Sequence, residues 1–233
     1  MYTAELDQEK DETVAAGVEA FAEKLTASRA IADDLLICRR LDWRMLLARP
    51  RLRRVAYVGK ATGALVDALK RFSESLTIFA SSEESFAASQ SNRTFDLLVL
   101  PMPSLRDVEM MRHLLKPGGS LYMELHRPRR WLNSRRQATE APKLGAYLSI
   151  LERVGFNEID AYWHRPNFEE CREIIPLRDR VALKHVFTRR GGGLKKRMRL
   201  LLGRYAAKTG MLERFAPCVS IIAHKTLVVR DAT

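Results

Sequence analysis

Between Arg54 and Leu125 the chain alternates short apolar runs with segments of helical period, and this alternation narrows its possible folds more than any other feature. Arg54-Val55-Ala56-Tyr57-Val58-Gly59 reads as a buried strand ending in glycine, and Ala64 to Phe72 follows with helical periodicity. Leu76 to Ala80 gives a second strand, and Phe95 to Leu100 a third that ends at Pro101. Ser104 or Asp107 can cap the next helix, which runs to Leu115 and stops at Lys116-Pro117-Gly118-Gly119. Ser120 to Leu125 is a fourth strand. A helix over 143–155 carries Leu144, Tyr147, Leu148, Leu151 and Val154 on one face. Strands Glu158 to Trp163 and Cys218 to Ala223 complete the pattern. Short connections between alternating elements predict an α/β fold, a parallel sheet with helices on both faces. Such sheets bind ligands at the carboxyl ends of their strands.

The 233 residues suit one main core with an appendage. Residues 12–37 carry apolar positions at helical intervals, and no Gly or Pro falls between Val18 and Ala48, so residues 1–52 are expected to form a helical extension ending near Pro50. Residues 53–233 then form the α/β domain. An insert of about residues 164–216 precedes the last strand, with Phe168, Pro166 and Pro176 at its start. The Arg- and Pro-rich stretch 127–142 reads as a loop over the carboxyl edge of the sheet. With 46% hydrophobic and 29% charged residues, global disorder is excluded. No run approaches the roughly 20 apolar residues of a membrane span. The acidic opening Met1 to Thr13 is unlike a secretory leader, and a cytoplasmic location is expected. Cys38, Cys171 and Cys218 are widely spaced and are expected to be buried small apolar residues rather than a disulfide or zinc set.

The formal net charge of +12 is unevenly spread. Residues 1–24 carry seven acids and two bases, whereas Lys184 to Arg214 carries ten bases against Glu213 alone. Smaller basic clusters lie at Arg39 to Arg54 and at Arg127 to Lys143. Such clusters either form a solvated face or attract anionic partners: a phosphate-bearing substrate, an acidic protein, an anionic membrane surface at which the chain would sit peripherally, or nucleic acid. Leu194, Met198, Leu201, Leu202 and Tyr205 make one apolar stripe within the basic segment, suited to docking on the protein's own core or on a membrane surface. Few aromatics interleave with the bases, so nucleic acid is the weaker option.

The order of elements resembles a class I S-adenosylmethionine-dependent methyltransferase over about residues 53–165 and again over 215–228. Val55-Ala56-Tyr57-Val58-Gly59-Lys60-Ala61-Thr62-Gly63-Ala64-Leu65 stands where that family has its glycine-rich first loop. Phe95 to Val99, Leu114 to Leu121 with its Lys-Pro-Gly-Gly turn, and Leu151-Glu152-Arg153-Val154-Gly155-Phe156 are similar to later landmarks. The resemblance implies an α/β, Rossmann-like methyltransferase sheet and an S-adenosylmethionine site at Gly59, Ala61, Thr62, Gly63, Ser81 and Pro101. It implies methyl transfer to a small or lipid-linked acceptor, in a biosynthetic or tailoring pathway. Gly59 and Gly63 fit the two outer glycine roles, turning the strand sharply and letting the helix pack closely, with Ala61 in the central place. The sequence departs from the family at Tyr57, where many members have an acid. It departs again after the second strand, where Phe79-Ala80-Ser81-Ser82-Glu83-Glu84 has Glu83 as the nearest carboxylate to the ribose position. Only about 14 residues separate Ala80 from Phe95, too few for a helix, a strand and a helix, so one strand is expected to be missing.

Methyl transfer needs an acceptor held in line and, for a hydroxyl, a base to take its proton. His126 directly follows the fourth strand at the edge where an acceptor would lie, and Glu124, two residues earlier on the same face, is placed to orient it. His164 is a weaker candidate beside a strand end; His113, His185 and His224 are assigned structural roles. No zinc spacing, P-loop, nucleophile elbow or paired carboxylates occur. The alternative is a catalytically inactive methyltransferase-like module that binds a partner or anionic surface through Lys184 to Arg214.

Overall fold

The apolar run that opens the α/β pattern forms strand β1 (Leu52–Val58), and its alternation divides the core in two. Val55 and Tyr57 face one side; Ala56 and Val58 pack into the other. The computed structural model describes residues 34–84, 94–126, 142–189 and 216–226. After β1 come helix α1 (Ala64–Phe72), β2 (Ser73–Phe79), β3 (Phe95–Pro101), α2 (Leu105–Met111), β4 (Leu115–His126), α3 (Leu144–Arg153), β5 (Phe156–Arg165), β6 (Glu173–Pro176), α4 (Arg180–Arg189) and β7 (Cys218–Lys225). The seven strands form one sheet in the order β2-β1-β3-β4-β7-β5-β6. Strands β2, β1, β3 and β4 pair in parallel, while β7 runs antiparallel between β4 and β5. The expected α/β, Rossmann-like architecture is what the chain adopts.

Each face is covered by helices whose apolar stripes match it. Leu65, Val66 and Leu69 of α1 join Val55, Tyr57, Leu97, Val99 and Tyr122 on one side. Val108 and Met111 of α2 and Leu144, Tyr147 and Leu151 of α3 fill the other. The two capping candidates for α2 act together: Asp107 N–H donates to Ser104 Oγ at 3.2 Å, and Ser104 N–H donates to the Asp107 carboxylate at 2.7 Å. Ahead of β1, residues 34–39 are helical and a 3-10 turn spans Asp42–Leu46. Leu41, Trp43 and Leu47 are buried in the same cluster as β1 and α1, so this stretch of the segment expected as an extension is built into the core.

The structure differs from expectation in several places. Strand β6 was not foreseen; it pairs antiparallel with β5 and lies within the insert. Strand β4 begins at Leu115, because the Lys116 to Gly119 turn is a bulge within the sheet. Phe95 pairs with Leu115, and Leu97 already pairs with Ser120. Gly119 is required there, since a Cβ would lie 2.9 Å from the Lys116 carbonyl oxygen and 3.2 Å from that of Asp96. Cys171 and Cys218 are buried as expected, but Cys38 is exposed. Among the described residues β2 is the sheet edge, with no strand beyond it. The basic stripe Leu194 to Tyr205 and the loop at 127–141 lie outside the described residues.

Candidate active site

The carboxyl ends of β1 and β3 diverge where the strand order reverses, because β1 continues to β2 on one side while β3 pairs on its other side. In open α/β sheets this crevice is where ligands sit. Gly59, at the end of β1, has a φ of +153° and donates its N–H to the Phe79 carbonyl at 2.9 Å, fixing the turn to the neighbouring strand. Gly63 precedes α1 with a φ of +118°, and no side chain caps that helix. Lys60, Ala61, Thr62 and Gly63 are exposed.

The two glycines differ in their surroundings. A Cβ at Gly63 would meet nothing within 4 Å among the described residues. At Gly59 a Cβ would lie 3.1 Å from Pro101 Cγ and 3.3 Å from the ring and hydroxyl of Tyr57. The crevice is therefore open over the start of α1 and narrow at the end of β1. Burial raises the Tyr57 phenol above its ordinary range, and the nearby Glu124 charge raises it further, so it stays a neutral hydroxyl.

At the end of β2 the carboxylate that returns to the strand is Glu84, not Glu83. Glu84 accepts the Ala80 N–H at 2.8 Å, and its own N–H donates to Ser81 Oγ at 3.2 Å. Glu83 is exposed. The signal was present in the sequence as Ser81-Ser82-Glu83-Glu84: a Ser followed three residues later by Glu is a helix-start signature, which folds the side chain back toward the strand end.

Beyond β3, Met102 has a φ of +55°, unusual for a residue other than glycine, and its N–H donates to the Glu124 carbonyl at 2.8 Å. Its sulfur accepts the His126 N–H at 3.1 Å. These contacts bring the ends of β3 and β4 together and leave the Met102 side chain 58% exposed on the rim. His126 is exposed, with its ring centroid 4.8 Å from that of Phe168.

Glu124 does not orient His126. It is buried, and its two carboxylate oxygens each accept a bond of 2.6 Å from the Arg40 guanidinium. Tyr122 Oη donates to the same carboxylate at 2.8 Å. The Tyr122 ring stacks on Trp43 at 3.6 Å between centroids, and the Arg40 guanidinium lies 5.5 Å over Phe168. Burial works against the Arg40 charge, yet the bonds and charge of Glu124 outweigh it and hold the guanidinium firmly protonated. Burial, then the Glu124 charge, keeps Tyr122 well above its ordinary range. His164 is buried too: Nε2 shares a 2.8 Å bond with Ser220 Oγ, and Nδ1 lies 3.4 Å from Cys171 Sγ. Burial, with the Arg40 charge, lowers it to about 3. A histidine held neutral in this way is a structural group, not a proton carrier near neutrality.

No protein-family model matches the chain, and no curated protein matches it by sequence. Among solved structures it is similar to a SAM-dependent methyltransferase from Archaeoglobus fulgidus, at 12% identity and a TM-score of 0.46, over 89% of this chain and 99% of that one. It is similar to a SAM-dependent methyltransferase, possible histamine N-methyltransferase, from Thermotoga maritima, at 13% identity and a TM-score of 0.42, over 89% and 98%. A third, phosphoethanolamine N-methyltransferase 2 from Haemonchus contortus, gives 14% identity and a TM-score of 0.41, over 75% of this chain and 49% of that one. At such values the likeness is one of general sheet architecture. What the chain shows by itself is an α/β fold with one seven-stranded mixed sheet, and its chemistry has to be read from its side chains.

Proposed function

We propose that this chain binds S-adenosylmethionine at the carboxyl edge of its sheet and transfers the methyl group to a small or lipid-linked acceptor. The observation that carries this reading is the open space above Gly63, at the uncapped start of α1 and beside the strand-order reversal. Free N–H groups at a helix start favour an anionic group such as a carboxylate. Glu84, folded back on Ala80, stands where a ribose hydroxyl would find an acceptor. Pro101 and Met102 border the acceptor side of the crevice. The cofactor, when bound, supplies an electrophilic methyl on a sulfonium. His126 on the rim takes the proton that a hydroxyl acceptor gives up, with Phe168 fixing its ring rather than Glu124. Calorimetry with S-adenosylmethionine and with its demethylated product tests the reading: binding in the micromolar range is expected. Absence of heat and of any thermal shift at millimolar ligand would end it.

One observation favours a second reading. Tyr57 and Pro101 close on Gly59, which suits a domain that kept the sheet and lost the pocket. Its function would then be to hold a protein partner or anionic surface through Lys184 to Arg214. Replacing Lys195, Lys196, Arg197 and Arg199 by Glu should abolish that association and leave the fold intact, and association insensitive to salt would count against it.

A further inference from the structure

At the amino-terminal ends of β1, β3 and β4, opposite the crevice just described, lies a cavity of about 700 Å³. Two irregularities open it. Strand β4 bulges over Lys116 to Gly119, and β5 slips register between Asn157 and Asp160, with Glu158 at a φ of +48°. Both bulges fall at the same end of the sheet, on either side of the end of β7. A smaller cavity of about 390 Å³ adjoins it and shares Arg51, Arg53, Asp96 and Lys116.

The walls of the larger cavity are strongly basic. Arg49, Arg51, Arg53, Lys116, His224 and Lys225 line it, against the acids Asp96 and Glu158. Some of this charge is already committed: Lys116 pairs with Asp96, Arg51 pairs with Glu74 at 2.6 Å, and Lys225 donates to the Arg112 and Leu115 carbonyls at 3.1 and 2.5 Å. Arg49 and Arg53 form no salt bridge among the described residues; the Arg53 charge acts on Asp96 without bonding to it, so both guanidinium groups keep their donors free for a ligand. His224 shares a 2.9 Å bond with Ser120 Oγ through Nδ1. Leu52, Leu97 and Pro117 supply apolar wall.

We infer that this cavity is a binding site for an organic phosphate, a small molecule carrying a di- or monophosphate on an apolar or heterocyclic body. The volume lies within the range of small-molecule sites. Guanidinium forks match phosphate geometry in two-bond contacts, which lysines alone do not provide. A recessed cavity between two bulges, rather than a flat basic face, selects a small ligand over a bilayer or a duplex. The inference stands independently of the carboxyl-edge reading, because the two sites lie at opposite ends of the sheet.

The test is calorimetric titration of uridine diphosphate into the full chain at low salt, with uridine as the uncharged control. Uridine diphosphate should bind and uridine should not, and the affinity should fall as salt rises. Replacing Arg49 and Arg53 together by Gln should weaken binding about a hundred-fold or more, since it removes two charge-assisted contacts to the phosphate. Both residues are exposed, and circular dichroism should show the fold unchanged; the more conservative double Lys variant should recover part of the affinity. No binding of uridine diphosphate, equal binding of uridine, or full binding by the Gln variant would overturn the proposal. So would capture of phosphatidylserine vesicles or a single-stranded oligonucleotide through Arg49 and Arg53 without binding of uridine diphosphate.

Discussion

Arg40 and Glu124 meet through two bonds of 2.6 Å, and the pair is almost fully withdrawn from water, with side-chain exposures of 7% and 2%. The contact joins the segment ahead of β1 to the end of β4, across 84 residues of chain. Removing one partner leaves the other charge buried without compensation, at a cost of about 3–5 kcal/mol. Arg40→Met and Glu124→Gln should each lose stability of that order in urea denaturation. The double variant Arg40→Met/Glu124→Gln should lose less than the sum of the two, since it leaves no orphan charge.

Trp43 is the apolar counterpart of that anchor. Its ring is fully buried and stacked on Tyr122, and its Nε1 has no hydrogen-bond partner among the described residues. Trp43→Ala should cost about 3–5 kcal/mol through the cavity it leaves. Trp43→Phe keeps most of the stack and removes the unpartnered N–H, so it should cost far less. Chemical denaturation of the two variants, read by circular dichroism, separates the ring's packing from its polar atom.

Much of the fold was legible because its signals are local. Val55 to Val58, Leu97 to Leu100 and Leu121 to Met123 are apolar runs bounded by turn residues or charges, and Ser104 with Asp107 marks a helix start without help from elsewhere. The Arg40–Glu124 pair was not legible, because nothing in either residue's neighbourhood names a partner so far away. Period two alone puts Glu124 and His126 on one face; only packing decides that the carboxylate turns toward Arg40. The Lys116 to Gly119 turn was read as a helix stop, since its bulged pairing depends on the register of β3. Glu83 is nearer to the strand in sequence, but the turn that begins at Ser81 brings Glu84 back to the Ala80 N–H.

His164 makes stability depend on pH. Its folded imidazole is lowered to about 3 from 6.5, chiefly by burial. Between those values the unfolded chain binds the proton and the folded chain does not, so stability rises with pH and is lost as pH falls below about 6.5. The slope from this group approaches about 1.4 kcal/mol per pH unit below about pH 6. His164→Asn keeps a donor for Ser220 but cannot titrate. Urea midpoints measured from pH 7 to pH 4.5 should fall more gently for this variant than for the parent chain, and parallel curves would exclude His164 as the source.

Gly119 holds the bulge of β4 closed against two carbonyls. A Cβ there would lie 2.9 Å from the Lys116 oxygen and 3.2 Å from that of Asp96, and backbone cannot yield as a side-chain tip can. Gly119→Ala should therefore cost about 1–3 kcal/mol. Gly145, where a Cβ meets nothing within 4 Å, is the control: it lies within α3, and Ala there should stabilise by roughly 0.5–1 kcal/mol through helix propensity. Thermal melts of the two variants should move in opposite directions.

Tyr57 decides how much room remains beside Gly59. Its ring and hydroxyl stand 3.3 Å from where a Cβ of Gly59 would be, and its side chain is buried with Trp43 and Tyr122. Truncating it works in two directions. Tyr57→Ala removes packing and should cost about 3–5 kcal/mol of stability, as for other buried aromatic groups. It also clears the narrow end of the crevice, so a ligand entering from the open side over Gly63 meets less resistance. S-adenosylmethionine should then bind more tightly to the variant than to the parent chain, measured by calorimetry below the variant's melting range. Tyr57→Phe removes only the hydroxyl and should give a smaller gain with little loss of stability. Equal affinity in all three chains would mean that the ligand does not reach the end of β1, and that the narrowing at Gly59 has no part in its recognition.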